Sequence, residues 1–303
     1  MNLRRCTAAA MLAVCLVGCS SSPRVAVEPA IVTATTLRAA STPPPKPPEP
    51  ARVTSRKANK MGVIPILMYH RILPTDGPYD RSYANFRKDL ERLYRLGYRP
   101  ITLAQYIDKK IDIPPGASPV VITFDDSDPT QYATLKDGSL DPNCAIGIMK
   151  GFERQYPDFR ARATFFVNPY RLFGKMEQGI PKLKQLQAWG CEIAAHTWRH
   201  SNLSKLTDAE IMADFDKTNG FLRQHGLTVR TLALPYGIFP KNRALLKDYE
   251  AVVLAGSGPA RSCYDPKRRL LNLPRVWAYD GPLGINDWLT RLKSGKTKPF
   301  VQP

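Results

Sequence analysis

The 303 residues contain four histidines, and three of them (His70, His196 and His200) fall at the ends of apolar runs. Asp125-Asp126 is a tandem carboxylate, His196-Thr197-Trp198-Arg199-His200 holds two imidazoles four apart, and Pro235-Tyr236-Gly237 follows a further apolar run. Each feature has an ordinary structural reading. A tandem Asp often caps a helix or makes a turn, histidines four apart share one helix face, and Pro-Tyr-Gly is a turn formula. Together they carry more. Two imidazoles and one carboxylate are a standard ligand set for a catalytic zinc-type site, with a coordination position left for water. Such an ion polarises a carbonyl and lowers the pKa of its water to about 7. Amide hydrolysis also requires a base near that water, a stabiliser of the oxyanion and an acid for the departing amine. The chain has a candidate for each.

The elements that must position these groups can be read from the apolar runs. VIPILMY (63–69) ends at His70, PVVITF (119–124) ends at Asp125, and ATFFV covers 163–167. A short strand over 192–195 ends at His196, another over 229–234 ends at Pro235, and 251–255 and 271–276 complete the set. Phe86, Leu90 and Leu93 recur at helical spacing up to Gly97, and 183–189 is helical up to Gly190. Thr207-Asp208-Ala209-Glu210 has the form of a capping box ahead of Ile211, Phe215 and Leu222. Continuous apolar strands alternating with helices, with polar groups at strand ends, describe an α/β fold around a parallel sheet. The chemistry then lies at the C-terminal rim. A closed barrel and an open doubly wound sheet give the same string.

The first sixty residues differ from the rest. Arg4 and Arg5 precede a short apolar stretch over 8–17, below the roughly 20 residues that span a bilayer. This reads as a secretory signal over 1–19. Leu16-Val17-Gly18-Cys19 resembles a bacterial lipobox, which implies that Cys19 carries lipid and anchors the protein to a membrane. Ser20 and Ser21 follow it, with no Asp, so the resemblance favours the periplasm-facing outer membrane in a two-membrane host. Residues 20–60 are rich in proline without apolar periodicity and read as an extended tether. The remaining 61–303 suffice for one α/β domain. The net charge of +18 falls by only two when Arg4 and Arg5 are removed. A basic surface suits anionic partners; nucleic acid is not among the expected ones, because no binding motif occurs. Cys144, Cys191 and Cys263 allow at most one disulfide within the domain.

Thr123-Phe124-Asp125-Asp126, then His196-Thr-Trp-Arg-His200, then Leu234-Pro-Tyr-Gly237 resemble, in that order, the signature motifs of the polysaccharide deacetylases (carbohydrate esterase family four, the nodulation-factor deacetylase homology domain). The resemblance extends over about 62–280. It implies a distorted (β/α)7 barrel as a single catalytic domain. It further implies Asp125 as general base, a divalent metal on Asp126, His196 and His200, and an oxyanion held by the backbone N–H of Tyr236, with Pro235 at the substrate. Zn²⁺ is the expected ion, with Co²⁺ or Ni²⁺ as alternatives, and an acetylated polysaccharide is the expected partner.

The chain also departs from that pattern. Ser127-Asp128 stands where the family usually has Gly, and 127–162 is longer than usual, which reads as a rim loop shaping the cleft. Ala233 replaces the Arg that normally orients the base, and Arg275 is the candidate substitute, with Trp277 as a candidate wall of the acetyl pocket. No histidine follows His225, so the late Leu-x-His that supplies the family's general acid is missing. Pro65-Ile-Leu-Met-Tyr-His70 closely resembles the first strand of the exported poly-β-1,6-N-acetylglucosamine deacetylases, which implies His70 as the acid. The expected activity is metal-dependent N-deacetylation of an amino sugar polysaccharide, such as poly-N-acetylglucosamine, peptidoglycan or a chitin-like polymer. A non-catalytic glycan-binding lipoprotein and a metal amidase for small molecules are the alternatives.

Overall fold

The computed structural model describes residues 56–303. The expected signal segment, Cys19 and the tether up to residue 55 lie outside the described residues. Asn59 and Val301 exchange backbone hydrogen bonds of 3.0 and 2.9 Å, which tie the first described residues to the last. Among the described residues no helix is long and apolar enough to cross a membrane.

The chain runs β1 (Ile66–Tyr69), β2 (Arg71–Leu73), β3 (Asp80–Ser82), α1 (Tyr83–Arg95), β4 (Tyr98–Ile101), α2 (Leu103–Ile107) and β5 (Ser118–Phe124). It continues α3 (Ala145–Gln155), β6 (Thr164–Val167), α4 (Met176–Ala188), β7 (Glu192–Ala195) and α5 (Asp208–Gln224). It ends β8 (Thr231–Ala233), β9 (Ala251–Ser257), β10 (Leu273–Trp277) and α6 (Ile285–Lys293). Seven strands close on themselves. β1 pairs with β5 on one side and β10 on the other, and the parallel order between them is β5-β6-β7-β8-β9-β10. The result is a (β/α)7 barrel. It is distorted at β5, where β4 pairs along Ser118 to Val121 and β6 takes over the same edge at Thr123 and Phe124.

Side chains alternate across each strand, and two packed layers follow. Ile66, Val121, Phe166, Ala194, Ala233, Val253 and Leu273 cluster in the lumen. Leu67, Val120, Ile122, Phe124 and Phe165 face outward against α1, α3 and α4. Counting two residues on from the lumen positions gives the upper layer: Met68 then His70, Thr123 then Asp125, His196, and Arg275 then Trp277. The buried strands are therefore also the device that aims the polar groups inward. On the outer layer, Phe124 meets Phe165 at 5.1 Å between ring centroids, Tyr69 at 5.6 Å and Phe86 at 5.9 Å.

The stretch 127–162 is not a rim loop throughout. Its second half contains α3, whose Ala145, Ile146, Ile148 and Met149 are buried in the outer core. Cys144 caps that helix, its sulfur accepting from Gly147 N at 3.3 Å. Cys144, Cys191 and Cys263 are all buried free thiols, so none forms a disulfide. The capping box at Thr207 and Glu210 is present at the start of α5. His225 caps the other end of α5, with Nδ1 2.8 Å from Phe221 O. Truncating Phe124 to Ala leaves a cavity among three rings, and urea denaturation should show a loss of about 3–5 kcal/mol.

Candidate active site

His70, Asp125, Asp126, His196, His200 and Arg275 come together at the C-terminal rim of the barrel. Asp125 is buried directly after β5, and a carboxylate there loses its hydration. Arg275 compensates from across the lumen. Its two terminal nitrogens each donate to one Asp125 oxygen at 2.7 Å, while Nε donates to Leu254 O at 2.5 Å and one terminal nitrogen also reaches Thr123 Oγ1 at 3.1 Å. Register shifts between β9 and β10 at this point, from Leu273 opposite Val253 to Arg275 opposite Ser257. Such a slip re-aims a side chain. The Arg expected at position 233 is thus supplied two strands away, and Ala233 leaves the lumen open for it. Burial alone would raise the Asp125 carboxyl, but Arg275, His196 and His70 outweigh it and hold it well below the usual carboxylate range.

Asp126, His196 and His200 form a group whose ligand atoms all lie within 4.8 Å of one another. Asp126 Oδ1 is 3.3 Å from His196 Nε2 and 3.5 Å from His200 Nε2. Asp126 Oδ1 and His196 Nε2 are nevertheless buried with no hydrogen-bond partner of good geometry among the described residues. Orphaned buried polar atoms are costly, and a divalent cation would satisfy both, so the residues fit a metal. His196 Nδ1 lies 2.8 Å from Ala233 O. Donation to that carbonyl leaves the Nε2 lone pair for a ligand. His200 sits below its ordinary value because of burial and the neighbouring His196, which favours the neutral, ligating form.

His70 faces this group, its Nε2 4.0 Å from Asp125 Oδ2. Burial lowers its pKa, and Asp125 and Asp126 offset only part of that. The His70 ring meets Tyr79 edge-on at 5.4 Å, and Tyr79 stacks on the half-buried Trp277 at 5.3 Å. On the opposite side the exposed Tyr236 ring meets His200 at 4.5 Å, and Pro235 is buried beneath it.

Left-handed backbone is concentrated here. Asp126 (φ 76), Ser127 (φ 46), Thr197 (φ 62), His200 (φ 58) and Tyr236 (φ 60) all adopt it without being glycine. Such residues persist only where their surroundings over-determine them, and three side chains do so: Ser127, noted in the sequence only as a replacement for Gly, and Asn168 and Gln131, which were not singled out there. Ser127 Oγ donates to Asn168 O at 3.2 Å and accepts from Asn168 N at 3.1 Å. Asn168 Nδ2 in turn donates to the carbonyls of His196 and of Thr197, the latter at 3.0 Å. The loop after β5 and the loop after β7 are thereby tied together. Gln131 is fully buried, and its amide Nε2 donates to His70 O at 2.9 Å and to Asp125 O, clamping the two strand ends. Asn168 could have been found as another polar residue at a strand end. Gln131 had no such signal.

Residues 157–253 match the family model described as polysaccharide deacetylase. No curated protein matches the chain at a significant level. Among solved structures the chain is similar to the deacetylase PplD of Streptococcus pyogenes, at 20% identity and a TM-score of 0.58, over 80% of this chain and 100% of that one. It is likewise similar to IcaB of Ammonifex degensii, at 21% identity and a TM-score of 0.57, over 77% and 96%. A de-N-acetylase of Aggregatibacter actinomycetemcomitans aligns at 15% identity and a TM-score of 0.51, over 74% and 99%. At these identities the likeness speaks for the barrel. The matched family model covers the His196–His200 and Pro235–Gly237 motifs.

Proposed function

We propose that this protein is a metal-dependent hydrolase that removes N-acetyl groups from an amino sugar polysaccharide of the cell envelope, and that it is held at a membrane through lipid on Cys19. The observation that carries the reading is the pairing of two buried, unpartnered ligand atoms, on Asp126 and His196, with a clamped free carboxylate at the adjacent residue. Asp126, His196 and His200 would hold the ion, Zn²⁺ by preference, which supplies Lewis-acid polarisation of the acetyl carbonyl and a more acidic water.

The chain's own groups divide the remaining tasks. Asp125 is ionised and fixed by Arg275, so its free electron pairs are available to take a proton from the attacking water. The Tyr236 backbone N–H would help hold the developing oxyanion. His70, across from Asp125, gives a proton to the departing nitrogen. Of the two departures that favour a non-catalytic binding protein, Ala233 and the long stretch 127–162, Arg275 answers the first by pairing with Asp125.

Purified protein loaded with Zn²⁺ or Co²⁺ should release acetate from N-acetylglucosamine oligomers and lose that activity to a chelator. Silence on β-1,6-linked, chitin-type and peptidoglycan substrates alike would sink the reading. Asp125→Asn should lower kcat by about 10²–10⁴-fold. His70→Ala should do likewise while metal affinity, measured by titration, is retained.

Arg275→Met should destabilise the fold by about 3–5 kcal/mol at pH 7, because it strands a buried carboxylate. The pair depresses the folded pKa of Asp125 below its ordinary 3.8, so its stabilisation is complete above that value and fades as pH falls through the depressed one. Denaturation curves of wild type and variant should therefore converge on acidification, and a gap independent of pH would refute the charge pairing as its cause.

A further inference from the structure

The aromatic run that starts at His70 leads away from the reacting centre and has no structural explanation. Tyr79 is 54% exposed although it touches both His70 and Trp277, and Trp277 meets Tyr279 at 5.4 Å in turn. The loop that carries Tyr79 is held firmly. Arg71 grips Asp80 through two bonds of 2.5 and 3.1 Å, and Arg71 N donates to Tyr79 O at 3.3 Å. Gly77 and Asp80 exchange backbone bonds of 3.2 Å each. A Cβ at Gly77 would stand 2.6 Å from an Asp80 carboxylate oxygen, so any other residue there would push aside the side chain that Arg71 grips. Asp76 then fastens the loop to the start of α1 by accepting from Ser82 N at 2.7 Å and from Asn85 Nδ2 at 2.5 Å. The loop is ordered before any ligand arrives, so binding loses little further entropy.

We infer that Tyr79, backed by Trp277, is a stacking subsite for a pyranose ring adjoining the sugar whose acetyl group is removed, so that the substrate is an extended glycan and not a single small amide. The inference deepens the catalytic reading above and rests on it. The chemistry is that of one apolar face meeting another. The C–H bonds on one face of a pyranose are weakly positive, and the face of an aromatic ring is negative. The Tyr79 hydroxyl adds a polar tip at the edge, where sugar hydroxyls lie. A peptide or small acetylated amine has no second ring to set there.

Two measurements on the full-length chain test this. In the first, acetate release is compared between N-acetylglucosamine and its tetramer. Tyr79→Ala should reduce the tetramer-to-monomer ratio of kcat/KM by about fivefold or more, and Tyr79→Phe should restore most of it. An unchanged ratio would mean that Tyr79 only packs His70, and would overturn the inference; so would failure of Phe to restore it. In the second, calorimetric titration of metal-free protein with the tetramer reads binding without turnover. Weaker binding by Tyr79→Ala, rescued by Tyr79→Phe, supports the subsite even if no polymer is deacetylated, in which case only the catalytic reading falls. No binding of the tetramer to wild type overturns the subsite itself.

Discussion

A single ion pair sets the terms for the rest of this structure. Asp125 lies where water is excluded, and an isolated carboxylate in that position would cost several kcal/mol. Arg275 is planar, permanently charged and forked, so it meets both oxygens at once. Accommodating it determines much of the upper lumen: Ala233 opposite, Thr123 as a second acceptor, Leu254 turned by the slip in β9, and Phe166 under the guanidinium at 5.6 Å. Neutralised in this way, Asp125 can remain ionised beside a second carboxylate, Asp126, that is turned to the histidines.

The strands end where the chemistry begins, and the backbone there is strained. Rigid β-structure delivers each residue to the rim, but the last turn into the site needs left-handed conformations at Asp126, Thr197, His200 and Tyr236. Their cost is borne by a polar web. Ser127, Asn168 and Gln131 hydrogen-bond to backbone carbonyls and amides of neighbouring loops, so the position of each catalytic group is referred to the others. Asp214 extends the web to α5 by accepting from Trp198 N at 2.8 Å. Ser127 stands where the family usually has Gly, and it accepts a positive φ while contributing a hydroxyl that Gly lacks.

The strands were legible in the sequence because buried parallel strands are continuous apolar runs, and the cluster of Asp126, His196 and His200 was legible because rare histidines stood near their ends. β4 was hidden: Tyr98-Arg-Pro-Ile101 carries an arginine and a proline, yet Arg99 is buried by its bonds to Asp158. α3 was mistaken for loop because the polar stretch before it, with Asp141-Pro142-Asn143, reads as turn, and its cap is a cysteine. Barrel closure could not be read at all. It depends on β1 choosing β5 and β10, and nothing in an apolar run names its partner. Gln131 stayed invisible for a related reason: it acts on carbonyl groups, which every residue has.

Closure also places the finished site late in folding. β1 near the start of the domain must find β10 near its end, and Arg275 reaches Asp125 only when it does. Contacts of such sequence separation are slow to form. Until then the carboxylate remains hydrated and His70 on the first strand has nothing to face. The ring of strands therefore acts as a completeness check: a chain truncated before residue 273 would keep both histidines of the 196–200 motif and still lack the arginine that neutralises Asp125.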